Sequence, residues 1–141
     1  MNSQHNQQSI GILARLCAQE NITIRHKAGL KTASFDVKNR VLYLPIWAGV
    51  SRDLIDMLII HEVGHALDTP ADGWIDGVKA IAERQFKKVT NRKIKAVHGF
   101  ANVLEDVRVD KRQKRRFPGS VRNYVAAYKE LFQRDFFQIQ N

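Results

Sequence analysis

His61, Glu62 and His65 stand in the order His-Glu-Val-Gly-His, inside an otherwise apolar run that begins at Leu54. Two imidazoles four residues apart lie on one face of a helix, with β-carbons about 6 Å apart. That spacing lets both reach a single ion through bonds of about 2.0–2.1 Å. Glu62 follows the first imidazole directly, so its carboxylate falls toward the open side of such an ion. There it can take a proton from a water held by the metal. Zinc brings the pKa of that water to about 7, which makes hydroxide available at neutral pH. Two histidines and a glutamate set into an apolar helix also cost free energy unless a cation or a partner satisfies them. The expected centre is one zinc ion held by His61 and His65, with Glu62 as general base.

A hydrolytic zinc site needs a third protein ligand and one open position. Cys17 is the lone cysteine and lies far upstream. Beyond His65 the chain reads Ala66-Leu67-Asp68-Thr69-Pro70-Ala71-Asp72 and offers no further histidine. The third ligand is therefore expected from a later helix, in the stretch Asn102 to Asp110. On that helix Val97, Ala101, Leu104 and Val107 define an apolar arc that is expected to be buried. Glu105 lies at the margin of the arc and Asp106 nearly opposite. This favours Glu105 as third ligand, with Asp106 as the alternative ligand or as a support behind the ligands. His98 and Asn102 share the Glu105 flank. His98, Tyr124 and Tyr128 are candidate donors to a transition-state oxyanion. Asp68 and Asp72 are candidate acceptors behind a ligand histidine.

The elements that must position these groups are readable from pattern. Ile10, Leu13, Leu16 and Cys17 recur at helical spacing after a loose polar stretch over residues 1–8. Between Asn21 and Ile46 the alternation changes to that of strands: Ile22 to His26, Ala33 to Val37 and Val41 to Leu44. Gly29 breaks the first pair of runs and Lys38-Asn39-Arg40 the second, which predicts a small antiparallel sheet with a hairpin at Asn39. Pro45 ends the last strand or sits on an edge. A helix then starts at Ser51 as N-cap, with Asp53 in its first turn, and runs to about Leu67. After a turn-rich loop at residues 69–73, helices are predicted over Trp74 to Val89, Arg92 to Arg116 with a bend near Gly99, and Ser120 to Phe137.

A chain of 141 residues, 44% hydrophobic and 26% charged, is sized and composed for one globular domain rather than a disordered one. The prediction is a single α+β domain over residues 1–141, a small antiparallel sheet packed on three or four helices. No apolar stretch is long enough to span a bilayer, and the opening residues lack a charged segment followed by an apolar one. A cytoplasmic protein without a membrane partner is expected. The net charge of +9 favours acidic partners. Of 23 lysines and arginines, 12 fall in the basic segments of residues 84–116, which suit an acidic protein partner, a nucleic acid or a solvated helix face. No nucleic-acid motif or aromatic stacking platform accompanies them.

Three stretches carry a family resemblance: residues 61–70 (His-Glu-Val-Gly-His-Ala-Leu-Asp-Thr-Pro), Asn102 to Asp110, and Arg116-Phe117-Pro118-Gly119 leading to Asp135-Phe136-Phe137. Through them the sequence resembles gluzincin-type zinc metallopeptidases. More narrowly, it is similar to metallopeptidases encoded by tailed bacteriophages and to peptidase-like domains found beside von Willebrand-type modules. The resemblance covers roughly residues 40–137 and implies a minimal zincin-like fold. It also implies a zinc-dependent endopeptidase acting on peptide or protein substrate, inside the bacterial host cell if phage-encoded. His61 and His65 are then ligands, Glu62 the base, and an acidic residue of the downstream helix the third ligand. The family pattern places an Asp four residues after the ligand acid, where it supports a ligand histidine. Val109 stands there for Glu105 and Asp110 for Asp106, so both registers stay open. Zincins lay substrate along an edge strand above the active-site helix, which makes Val41 to Leu44 the expected edge. Two other readings of the sequence are a zincin fold that holds zinc without catalysis and a basic nucleic-acid-binding accessory protein.

Overall fold

The computed structural model describes residues 13, 14, 19, 21–36, 38–70 and 72–138. Three strands and four helices make up an α+β domain among them: β1 (Thr23–Lys27), β2 (Ser34–Asp36), β3 (Val41–Pro45), α1 (Arg52–Asp68), α2 (Trp74–Gln85), α3 (Asn91–Arg116) and α4 (Val121–Gln133). A short 3-10 turn over Pro118–Ser120 joins α3 to α4. Of the predicted first helix only Leu13 and Ala14 are described, both helical and both against the core. Ile10, Leu16, Cys17 and the polar stretch 1–8 lie outside the described residues. No helix among the described residues is long and apolar enough to cross a membrane.

The expected hairpin forms between β2 and β3, which pair antiparallel with Phe35 opposite Leu42. Asp36 fastens its turn by accepting from the Asn39 backbone amide (3.0 Å) and side-chain amide (2.8 Å). The sheet is not wholly antiparallel, however. Its order is β1-β3-β2, and β1 lies parallel to β3 with Thr23 opposite Val41. Two reversals, one through the left-handed Gly29 and one through the hairpin, turn the third strand back into the direction of the first. The most apolar strand then takes the centre: Leu42, Leu44 and Pro45 of β3 are buried, whereas β1 is almost wholly exposed. Val41 to Leu44 is therefore no edge. The edges are β1 and β2, and β2 is the one packed on α1.

Helix α1 begins where Ser51 caps it, the Ser51 hydroxyl accepting from the Leu54 amide at 3.1 Å. Leu54, Ile59 and Val63 are fully buried, because the sheet, α3 and α4 all pack against this helix. Gly64 gives α3 its closest approach: a β-carbon there would run into the side chains of Val109 and Gln113. The face that α3 presents to α1 is consequently polar, with Glu105, Asp110 and Gln113 buried beside Val109. This reverses the expected orientation, since Leu104 and Val107 point to solvent. The polar face wins because its groups find partners on α1; the Gln113 amide, for example, donates to the Ile60 carbonyl at 2.6 Å.

Two helices stop earlier than predicted, α2 at Gln85 and α4 at Gln133. Past Arg134, Asp135 adopts a left-handed conformation and the Phe136 amide closes back onto the Leu131 carbonyl at 3.0 Å. This six-to-one closure is the usual way a helix is ended. Helix α3 continues unbroken through Gly99.

Candidate metal centre

His61 and His65 project from one face of α1 toward α3, as their spacing requires. Their Nε2 atoms stand 3.2 Å apart. From α3 it is Asp106 that meets them, its Oδ1 lying 3.1 Å from His65 Nε2 and 3.7 Å from His61 Nε2. His61, His65 and Asp106 are the group of ligand-type side chains whose atoms come close enough to share one metal ion.

The other ring nitrogens fix which way the imidazoles face. His61 Nδ1 lies 2.7 Å from Asp110 Oδ1, a carboxylate that only accepts, so Nδ1 carries the hydrogen. His65 Nδ1 lies 2.8 Å from the Thr69 hydroxyl, which itself donates to Glu105 at 2.6 Å. Thr69 must therefore accept from His65. With Nδ1 carrying the hydrogen, the tautomer that can bind a metal presents Nε2 as a bare acceptor, and the two Nε2 atoms converge on an Asp106 oxygen. Three acceptors within 3.7 Å of one another repel unless positive charge sits among them. A tetrahedral ion with bonds of about 2.0–2.1 Å needs ligand atoms about 3.3 Å apart, which these separations bracket. The donor set thus fits a metal ion.

Glu105, the favoured third ligand, is held elsewhere. Arg108 grips its carboxylate with Nε at 2.7 Å and a terminal nitrogen at 2.6 Å, which together with Thr69 holds it below the usual carboxylate range. Its place is behind His65, as the end of a chain running His65–Thr69–Glu105–Arg108. Asp110 plays the matching part behind His61 and is itself touched by the Tyr128 hydroxyl at 3.2 Å. Burial, reinforced by the Asp110 charge, raises that hydroxyl to about 12, so Tyr128 stays protonated and donates. Burial alone would depress His61, but its bond to Asp110 and the surrounding carboxylates raise it overall. The field at the site attracts positive charge.

Glu62 is buried at the same level of α1. Burial pushes its carboxyl up to about 7, against the pull of His61 and His65. A carboxyl shifted in this way beside two imidazoles is a candidate for proton transfer. The open side of the centre is the half-exposed Asp106 and a cleft of about 650 Å³ lined by Lys38, His65, Thr69, Trp74, Asn102 and others. The remaining expected donors diverge. His98 packs edge-on against Trp74 and takes the Asn102 amide at 3.3 Å, outside the ligand triangle. Tyr124 is buried in the core beneath the Lys114 ammonium. Asp68 holds Arg112 and Arg116 instead of a histidine, and Asp72 lines the cleft. Thr69 was missed by the sequence reading, though its position four residues after His65 at a helix end was the available signal.

Comparison of the chain with protein-family models, with curated proteins and with solved structures returns no match.

Proposed function

We propose that this chain is a zinc-dependent endopeptidase, with His61, His65 and Asp106 as ligands and Glu62 as general base. One observation carries the reading: three acceptor atoms converge at metal-ligand spacing beside a buried, proton-accepting glutamate. Two imidazoles and one carboxylate with an open fourth position are the donor set of catalytic zinc. Zinc in such a site supplies Lewis acidity, polarising a carbonyl and lowering the pKa of water to about 7. Glu62 takes the proton of the attacking water and returns it to the leaving amine. Asp110 and the Thr69–Glu105 pair hold the two imidazoles in the tautomer that presents Nε2. Tyr128 keeps Asp110 in place. The zincin resemblance supports the same reading, with the extended substrate now laid along the edge strand β2 in place of β3.

The test is elemental analysis of the purified protein together with hydrolysis of a proteome-derived peptide library. Glu62→Gln is expected to keep its zinc and to lose cleavage by at least about 100-fold. Cleavage by Glu62→Gln at the wild-type rate overturns the role of Glu62. His61→Ala and His65→Ala are expected to arrive without zinc, and full occupancy in either overturns the ligand assignment.

A further inference from the structure

The outward side of α3 is the reverse of an ordinary surface helix. Phe100, Val103, Leu104 and Val107 follow the i, i+3, i+4, i+7 spacing of one helical stripe and are 60–75% exposed. A second stripe runs along α4 through Val121, Val125, Tyr128 and Phe132, again at one-face spacing and 44–67% exposed. The Tyr128 hydroxyl of the α4 stripe reaches the buried Asp110 of α3, so the two helices lie within side-chain reach of each other. Scattered exposed apolar residues need no explanation, but two whole stripes on neighbouring helices are more than scatter.

Charge says what the cover is. Toward the C-terminal end of α3 the apolar stripe passes into Lys111 and Arg115, and Arg122 and Lys129 flank the stripe on α4. All four are exposed; Lys111, Arg115 and Lys129 make no ion pair among the described residues, and Arg122 lies near Asp56 of α1. The other arginines of this region are engaged: Arg108 with Glu105, Arg112 and Arg116 with Asp68. The acids of α3 from Glu105 to Asp110 all turn toward the metal centre. A second copy of this basic chain would set cations against cations.

We propose that the α3–α4 face docks an acidic amphipathic helix of a protein partner, its apolar side on the two stripes and its carboxylates on the basic flank. Because Asp106 borders the α3 stripe, the bound helix lies at the rim of the metal centre and commands access to it. The surface itself does not depend on the peptidase reading.

The probe is a fluorescent helical peptide with one leucine face and glutamate elsewhere, titrated against the Glu62→Gln protein so that binding is read without cleavage. A scrambled isomer and a lysine counterpart serve as controls. The expected result is saturable binding that weakens with salt and is at least about tenfold weaker for both controls. Leu104→Glu, at a solvent-facing position, is expected to keep the wild-type circular dichroism and to weaken binding at least about tenfold; Lys111→Glu with Arg115→Glu is expected to act in the same direction. Equal binding of the scrambled isomer, or indifference to Leu104→Glu, overturns the proposal. So does a Leu104-dependent dimer in sedimentation, or binding to phosphatidylserine vesicles without binding to the peptide. Absence of cleavage by the wild-type protein, with peptide binding retained, overturns the proposed enzyme and leaves this surface standing.

Discussion

At the scale of single residues, the proposed centre depends on groups outside the ligand triangle. Thr69 accepts from His65 and donates to Glu105, so its hydroxyl is used in both directions. Thr69→Val keeps the shape and removes the acceptor, leaving the His65 ring free to turn. Zinc affinity, measured by competition with a chromophoric chelator, is expected to fall about 10–100-fold and to recover in Thr69→Ser. Asp106→Ala removes a proposed ligand and is expected to cost more zinc affinity than Glu105→Gln, which alters only the support behind His65. Loss of zinc in the reverse order contradicts the assignment. The sequence alone points to His61, Glu62 and His65, because three such residues on one helix are a local pattern. Apolar periodicity ranks Glu105 above Asp106, whereas it is Asp106 that meets the two histidines. The better clue was Asp110, four residues after Asp106, which does lie behind His61.

At the scale of elements, the close packing of α1 on α3 turns on Gly64. An exposed helical glycine exchanged for alanine normally gains about 1 kcal/mol. Here the added methyl meets Val109 and Gln113, so Gly64→Ala is expected to lose about 1–3 kcal/mol in urea unfolding. A stabilised Gly64→Ala protein contradicts the packing. The same contact explains which parts of the fold were readable beforehand. Helix α1, the hairpin at Asn39 and the length of α3 follow from caps, turn residues and period. The buried face of α3 does not, because hydrophobic periodicity assumes an apolar interior and this interior is polar and hydrogen-bonded. The parallel partnership of β1 with β3 is likewise invisible locally, since it pairs segments separated by a hairpin.

At the scale of the whole molecule, the end of the last helix is latched to the start of the first long one. Glu130 accepts from the Ser51 amide at 3.3 Å and from Arg134 Nε at 2.9 Å, and Arg134 donates to the Gly49 carbonyl at 2.6 Å. Partial burial pushes the Glu130 carboxyl up, but the bonds from Ser51 and Arg134 outweigh it and lower it overall. A depressed carboxylate stabilises the fold above its ordinary value of 4.5, and the benefit is lost as the pH falls through the lower folded value. The wild-type protein is therefore expected to melt above Glu130→Gln near neutral pH, with the gap closing in melts at about pH 3. A gap that persists in acid contradicts the latch. Thr69 has one more consequence, on the time axis. Its amide closes the end of α1 on the His65 carbonyl at 3.0 Å, while its hydroxyl holds the ring of the same residue. Fraying of the helix end and release of the imidazole are thus one opening event. Deuterium uptake at this single amide then acts as a clock for the assembly of the centre, slowed by zinc and quickened by a chelator, with no substrate in the tube.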